Sequence, residues 1–60
     1  MKRRFYEIQA GDVVKTKHGE AEVVATSSHR RGYTTLELTD GQSTWKITEG
    51  DLDLIETIRD

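Results

Sequence analysis

The segment His29-Arg30-Arg31-Gly32-Tyr33 brings an imidazole, two guanidinium groups and a phenol into one short stretch. Arginine forks grip phosphate or carboxylate, and a tyrosine ring beside them stacks on a base or packs against a peptide. That is recognition chemistry. Lys2, Arg3 and Arg4 form a second basic cluster near the N-terminus, and Lys15, Lys17 and Lys46 add positive charge where their faces coincide. The binding set read from these residue types is His29, Arg30, Arg31, Tyr33, Lys46, Arg3 and Arg4. An ordinary solvated loop carrying an Arg pair is the competing reading, because exposed charge and function both concentrate in loops.

Reaction chemistry is not legible in the same way. His18 and His29 stand apart with no cysteine in the chain and no second histidine at metal-ligand spacing, so no metal site is expected. Ser27, Ser28, Ser43 and the threonines lack an oriented base, and Glu20 with Glu22 reads as an exposed strand face rather than a carboxylate pair. The glycines at 11, 19, 32, 41 and 50 are spaced as turns, not as a phosphate loop. The expectation is a non-enzymatic chain with no catalytic residue and no cofactor.

Those side chains need strands to hold them. Residues 12–17 (DVVKTK) alternate as a half-buried strand with Val13 or Val14 inward, and His18-Gly19 turns it. Residues 20–28 (EAEVVATSS) are β-branched and small without helical spacing, which predicts a longer strand that bends to serve two sheets. Residues 27–32 form the loop after it. Residues 33–39 alternate cleanly, with Leu36 and Leu38 on one side and Tyr33, Thr35 and Glu37 on the other. Asp40-Gly41 is a strong hairpin signal, and residues 43–48 return with Trp45 and Ile47 inward and Lys46 outward. Residues 49–52 read as a single helical turn, and residues 53–58 as the last strand. The expected core draws on Val13 or Val14, Val23 or Val24, Leu36, Leu38, Trp45, Ile47, Leu52 and Ile55, with Phe5 or Ile8 covering an open end.

Short strands at regular spacing with glycine-marked turns predict an all-β fold, a five-stranded small barrel with a short helical turn before the last strand. Residues 10–58 would form the barrel and residues 1–9 either a basic arm or a covering strand. A chain of 60 residues buries only about 60% of the surface its unfolded form exposes, and with no disulfide available oligomerisation is the remaining way to reinforce it. No run approaches the ~20 apolar residues of a membrane span or an apolar signal core, so no membrane partner is expected and the absence of cysteine suits a reducing cytoplasm. Residues 1–31 carry seven Lys/Arg against four Asp/Glu and residues 32–60 two against seven, giving halves of +3 and −5. The acidic total argues against a generic nucleic-acid binder and leaves only a local basic face for that role.

Gly11, Asp12, Val14, His18, Gly19, Ala21, Val23 and Val24, followed by LELTDG and DLDLI, resemble the SH3-like and Tudor-like small barrels. Within that group residues 10–56 resemble the RNA-polymerase-interacting modules of the CarD and transcription-repair coupling type and the Tudor-like tail of UvrD-family helicases. Two positions depart from that pattern: Ala21 replaces a second turn glycine, and Thr48 or Glu49 replaces a proline. Gly11-Asp12, Val14, Lys15, Lys17, Gly19, Gly32-Tyr33, Ser43, Leu52 and Ile55 also resemble the plasmid-borne type II dihydrofolate reductase, which works as a tetramer. Its Val-Gln-Ile-Tyr motif is Thr44-Trp45-Lys46-Ile47 here, so its active groups do not carry over. The resemblance implies a binding module for a protein partner such as RNA polymerase or another transcription or replication factor. A nucleic-acid-binding barrel is the alternative, and a reductase-like oligomer the second alternative.

Overall fold

A computed structural model describes residues 1–58. Within it the alternating segments become strands: β1 (Lys2–Arg4), β2 (Val13–Thr16), β3 (Gly19–His29), β4 (Tyr33–Thr39), β5 (Thr44–Gly50) and β6 (Leu54–Thr57). They form one antiparallel sheet in the order β1-β6-β2-β3-β4-β5. The fold is all-β, and the sheet is not closed: β1 and β5 are left as its two edges.

Leu36 and Leu38 are fully buried with Val14 and Val23, and Phe5, Ile8, Ala21 and Ile55 complete the core. Burying each large aliphatic side chain contributes about 1.5–3 kcal/mol. Trp45 and Ile47 pack against this cluster from β5 while remaining partly exposed. The strand expected to bridge two sheets lies in a single one: the 11-residue β3 serves both halves of it through a bulge between Val23 and Ala25, which turns Val24 outward. A bulge inserts an unpaired residue and bends its strand, which lets so small a sheet curl around one core. The β4–β5 hairpin closes on Gly41 at φ +94°, a conformation costly for any residue with a Cβ.

Six strands replace the five expected, because Lys2–Arg4 pairs with β6 in the register Lys2 to Glu56, Arg3 to Ile55 and Arg4 to Leu54. The helical turn expected over residues 49–52 is absent. Glu49 and Gly50 instead extend β5 opposite Thr34 and Tyr33. Gly50 then receives the Asp53 N–H on its carbonyl (3.0 Å) and donates its N–H to Asp53 Oδ2 (3.1 Å), so a tight turn satisfies backbone groups that an unnucleated helical turn would leave open. The one helical segment among the described residues is a 3-10 turn at Phe5–Glu7. There residues three apart eclipse, so Phe5 and Ile8 both face the core where one had been expected to suffice. Leu52 sits at the tip of the 51–52 turn, 67% exposed, instead of in the core. The 27–32 loop shrinks to a turn because β3 runs on to His29, pairing Ser27, Ser28 and His29 with Thr35, Thr34 and Tyr33.

Candidate functional site

Arg30 and Arg31 occupy the exposed turn between β3 and β4, which Gly32 closes at φ +84°. His29 is not a loop residue: at the end of β3 its Nε2 lies 2.7 Å from Thr35 Oγ1, which in turn lies 2.7 Å from Thr48 Oγ1. This polar ladder crosses β3, β4 and β5 on the face that also carries Tyr33. Tyr33 is half exposed at the start of β4.

One residue ties this end of the sheet together. The Asp51 N–H donates to the Gly32 carbonyl (2.8 Å), the Tyr6 N–H donates to the Asp51 carbonyl (3.3 Å), and the buried Thr34 hydroxyl donates to Asp51 Oδ1. Asp51 therefore brings the Arg30-Arg31 turn, Tyr33, the exposed Tyr6 and the exposed Leu52 to one end of the molecule. Tyr6 was not singled out from the sequence as a site residue, and Leu52 had been expected in the core. Their signal was an aromatic and an aliphatic side chain beside turn residues, which only a long-range hydrogen bond converts into neighbours of the arginines.

The remaining predicted residues are dispersed. Lys46 is exposed on β5 directly opposite Glu37 of β4. Arg3 is paired with the buried Ile55 and so shares its inner face; it is half buried, and its Nε is enclosed with no hydrogen-bond partner among the described residues. Arg4 is exposed on the opposite face, its N–H bonded to Glu7 Oε1 (3.0 Å). Lys15 stands between Glu20 on β3 and Glu56 on β6. The structure thus does not merge the N-terminal cations, Lys46 and the arginine turn into one basic face.

A second feature lies along β5. An open groove of about 750 Å³ is lined by Phe5, Trp45, Ile47, Leu54 and Ile55, with Thr16, Lys17 and His18 towards one end and Glu49 and Asp53 towards the other. His18 meets the Trp45 ring edge-on at 5.9 Å between centroids. Part of the backbone beside this groove has no hydrogen-bond partner among the described residues. Asp40 and Ser43 form a hydrogen-bonded pair at the hairpin end, and such pairs alternate along an antiparallel ladder. Along the register from there, Trp45, Ile47 and Glu49 exchange bonds with β4, whereas Thr44, Lys46 and Thr48 direct their N–H and carbonyl groups out from the sheet edge. Gly50 has the same outward phase, and its outward groups are taken by Asp53.

Two carboxylates are held below their ordinary range. Asp40 is lowered by the Ser43 and Gln42 backbone N–H groups that its Oδ1 accepts at 2.8 and 2.9 Å. Glu56 is lowered by the N-terminal ammonium group that donates to it. Both are turn or strand anchors, remote from the groove lining. Among the described residues no group of three or more His, Cys, Asp or Glu is placed to hold a metal ion, and no helix is long and apolar enough to cross a membrane. Comparison with known proteins returns no match to a family, a curated protein or a solved structure.

Proposed function

We propose that this chain is a non-enzymatic binding module, an SH3-like or Tudor-like small barrel whose open β5 edge receives an extended segment of a protein partner. The observation that carries the reading is the row of outward backbone groups on Thr44, Lys46 and Thr48 beside the Trp45–Ile47–Leu54 groove. Strand addition draws affinity from main-chain hydrogen bonds and specificity from pockets that take alternate side chains. Here side chains of the incoming strand opposite Trp45 and Ile47 would enter the groove. The resemblance to RNA-polymerase-interacting modules supports a polymerase or another transcription or replication factor as the source of that segment.

The test is an amide-shift titration with a capped peptide of alternating pattern, Lys-Thr-Val-Thr-Asp. Shifts at residues 44–48 together with a blue-shifted Trp45 emission are the expected result. Lys46→Pro should abolish both, because proline deletes an outward donor while leaving the β4 ladder intact. Shifts scattered elsewhere, or none, would refute strand addition.

The Asp51-centred end favours a second reading, nucleic-acid contact through Arg30, Arg31, Tyr33 and Tyr6, in which the arginines take phosphates and the rings stack on bases. The same titration with a short single strand and a short duplex, at low and physiological salt, separates the two surfaces because they lie on different residues.

A further inference from the structure

The β5 edge on which the proposed function rests is complementary to itself, and we infer that two copies of this chain pair through it, antiparallel, about a two-fold axis at Ile47. Outward groups must face outward groups across such an interface, so Thr44, Lys46, Thr48 and Gly50 pair only among themselves. Centres at Lys46, Ile47 and Thr48 keep most of β5 in overlap. Centring on Lys46 sets two lysines directly opposite, a destabilising like-charge pair. Centring on Thr48 sets each Lys46 against the partner's Gly50, whose outward groups are already bonded to Asp53, and leaves Thr48 against Thr48 as the one free pair within β5. Centring on Ile47 moves the occupied Gly50 out to the partner's Thr44 and sets Lys46 against the partner's Thr48 and Thr48 against the partner's Lys46. The two Lys46–Thr48 pairs can each exchange both backbone bonds.

That surviving register also matches the charges. Trp45 comes opposite the partner's Glu49, which brings this carboxylate to the groove end lined by Lys17 and His18. The symmetry repeats the contact at the other end. Ile47 meets the partner's Ile47 on the inner face, removing from water two side chains that the single chain leaves half exposed. The usual guard on an edge strand is a charge such as Lys46, and here Lys46 has Glu37 beside it on its own sheet and a threonine across the interface. β5 carries no proline and no bulge among its seven residues. For a domain this small, such pairing supplies the reinforcement that no disulfide can give.

Charge reversal tests the register. Glu49→Lys alone would bring a cation against the partner's Lys17, and Lys17→Glu alone would bring a carboxylate against the partner's Glu49, so each variant should dimerise at least ~10-fold more weakly than the parent. An equimolar mixture of the two variants should recover most of that loss, because one end of the mixed dimer keeps the parent Glu49–Lys17 contact and the other meets with both charges reversed. The double variant carrying both reversals should dimerise like the parent, since opposite charges meet at both ends. Sedimentation from micromolar to millimolar protein reads the association, amide spectra confirm that each variant is folded, and isotope-filtered contacts between Lys46 and the partner's Thr48 read the register directly. A parent that stays monomeric to millimolar concentration, or a dimer indifferent to both reversals, overturns the inference. The peptide titration judges the edge separately: a monomer that still shifts at residues 44–48 keeps strand addition and loses self-pairing.

Discussion

Thr34 and Asp51 show how much one buried hydroxyl can organise. Thr34 is almost wholly enclosed, and its bond to Asp51 Oδ1 aligns a carboxyl residue whose backbone reaches both Gly32 and Tyr6. Thr34→Val keeps the shape and removes the donor, and should cost about 1 kcal/mol in denaturant unfolding while speeding amide exchange at Asp51 and Tyr6. Asp40 offers a pH-dependent test. Its folded pKa is lowered, so its contribution is complete above the ordinary carboxylate value and is lost as pH falls through the folded one. Melting temperature should therefore drop as the protein is acidified below about pH 4, and Asp40→Asn, which still accepts both turn N–H groups, should flatten part of that drop.

At the scale of elements, the clearest signals were the strands with strict alternation. β4 spans the expected residues because Leu36 and Leu38 cannot change phase without exposing both, and the Asp40-Gly41 turn sets where it ends. β1 lacked such a signal. Its three residues are all charged, and it is a strand because Phe5 and Ile8 dock in the core and the Phe5 N–H continues the ladder to the Asp53 carbonyl at 2.9 Å. Phe5→Ala should cost about 3–5 kcal/mol, and in conditions where the sheet survives, Lys2–Arg4 amides should exchange faster than those of β4. β6 keeps Ile55 inward as expected, with Thr57 beside it on the same face, whereas Leu52, expected in the core, is carried to a turn tip.

For the whole molecule, the strand order decides the electrostatics. β6, from the acidic half, lies between β1 and β2 of the basic half, so Lys2 meets Glu56 and Lys15 meets Glu56 and Glu20. The +3 and −5 halves are interleaved rather than presented as opposite poles. Arg30 and Arg31, being on an exposed turn, have no cross-strand partner in the sheet register among the described residues. Any association with duplex DNA should then weaken with salt at a logarithmic slope of about −2, the value for two phosphates, and Arg30→Ala with Arg31→Ala should abolish that dependence. A slope several times steeper would mean that the N-terminal cations also reach the backbone.

The amino-acid sequence by itself determined the all-β character, the hairpin at Asp40-Gly41, the bend in the long strand and the inward phase of Leu36, Leu38, Trp45 and Ile47, because alternation and turn chemistry act between near neighbours. It also marked His29, Arg30, Arg31 and Tyr33 as surface chemistry. Only the tertiary structure decided that Tyr6 joins them, that Arg3 turns inward beside Ile55, that the sheet stays open, and that β5 is the edge beside an apolar groove. These depend on which strand lies beside which and on hydrogen bonds between residues far apart in the chain, and local periodicity carries no information about either.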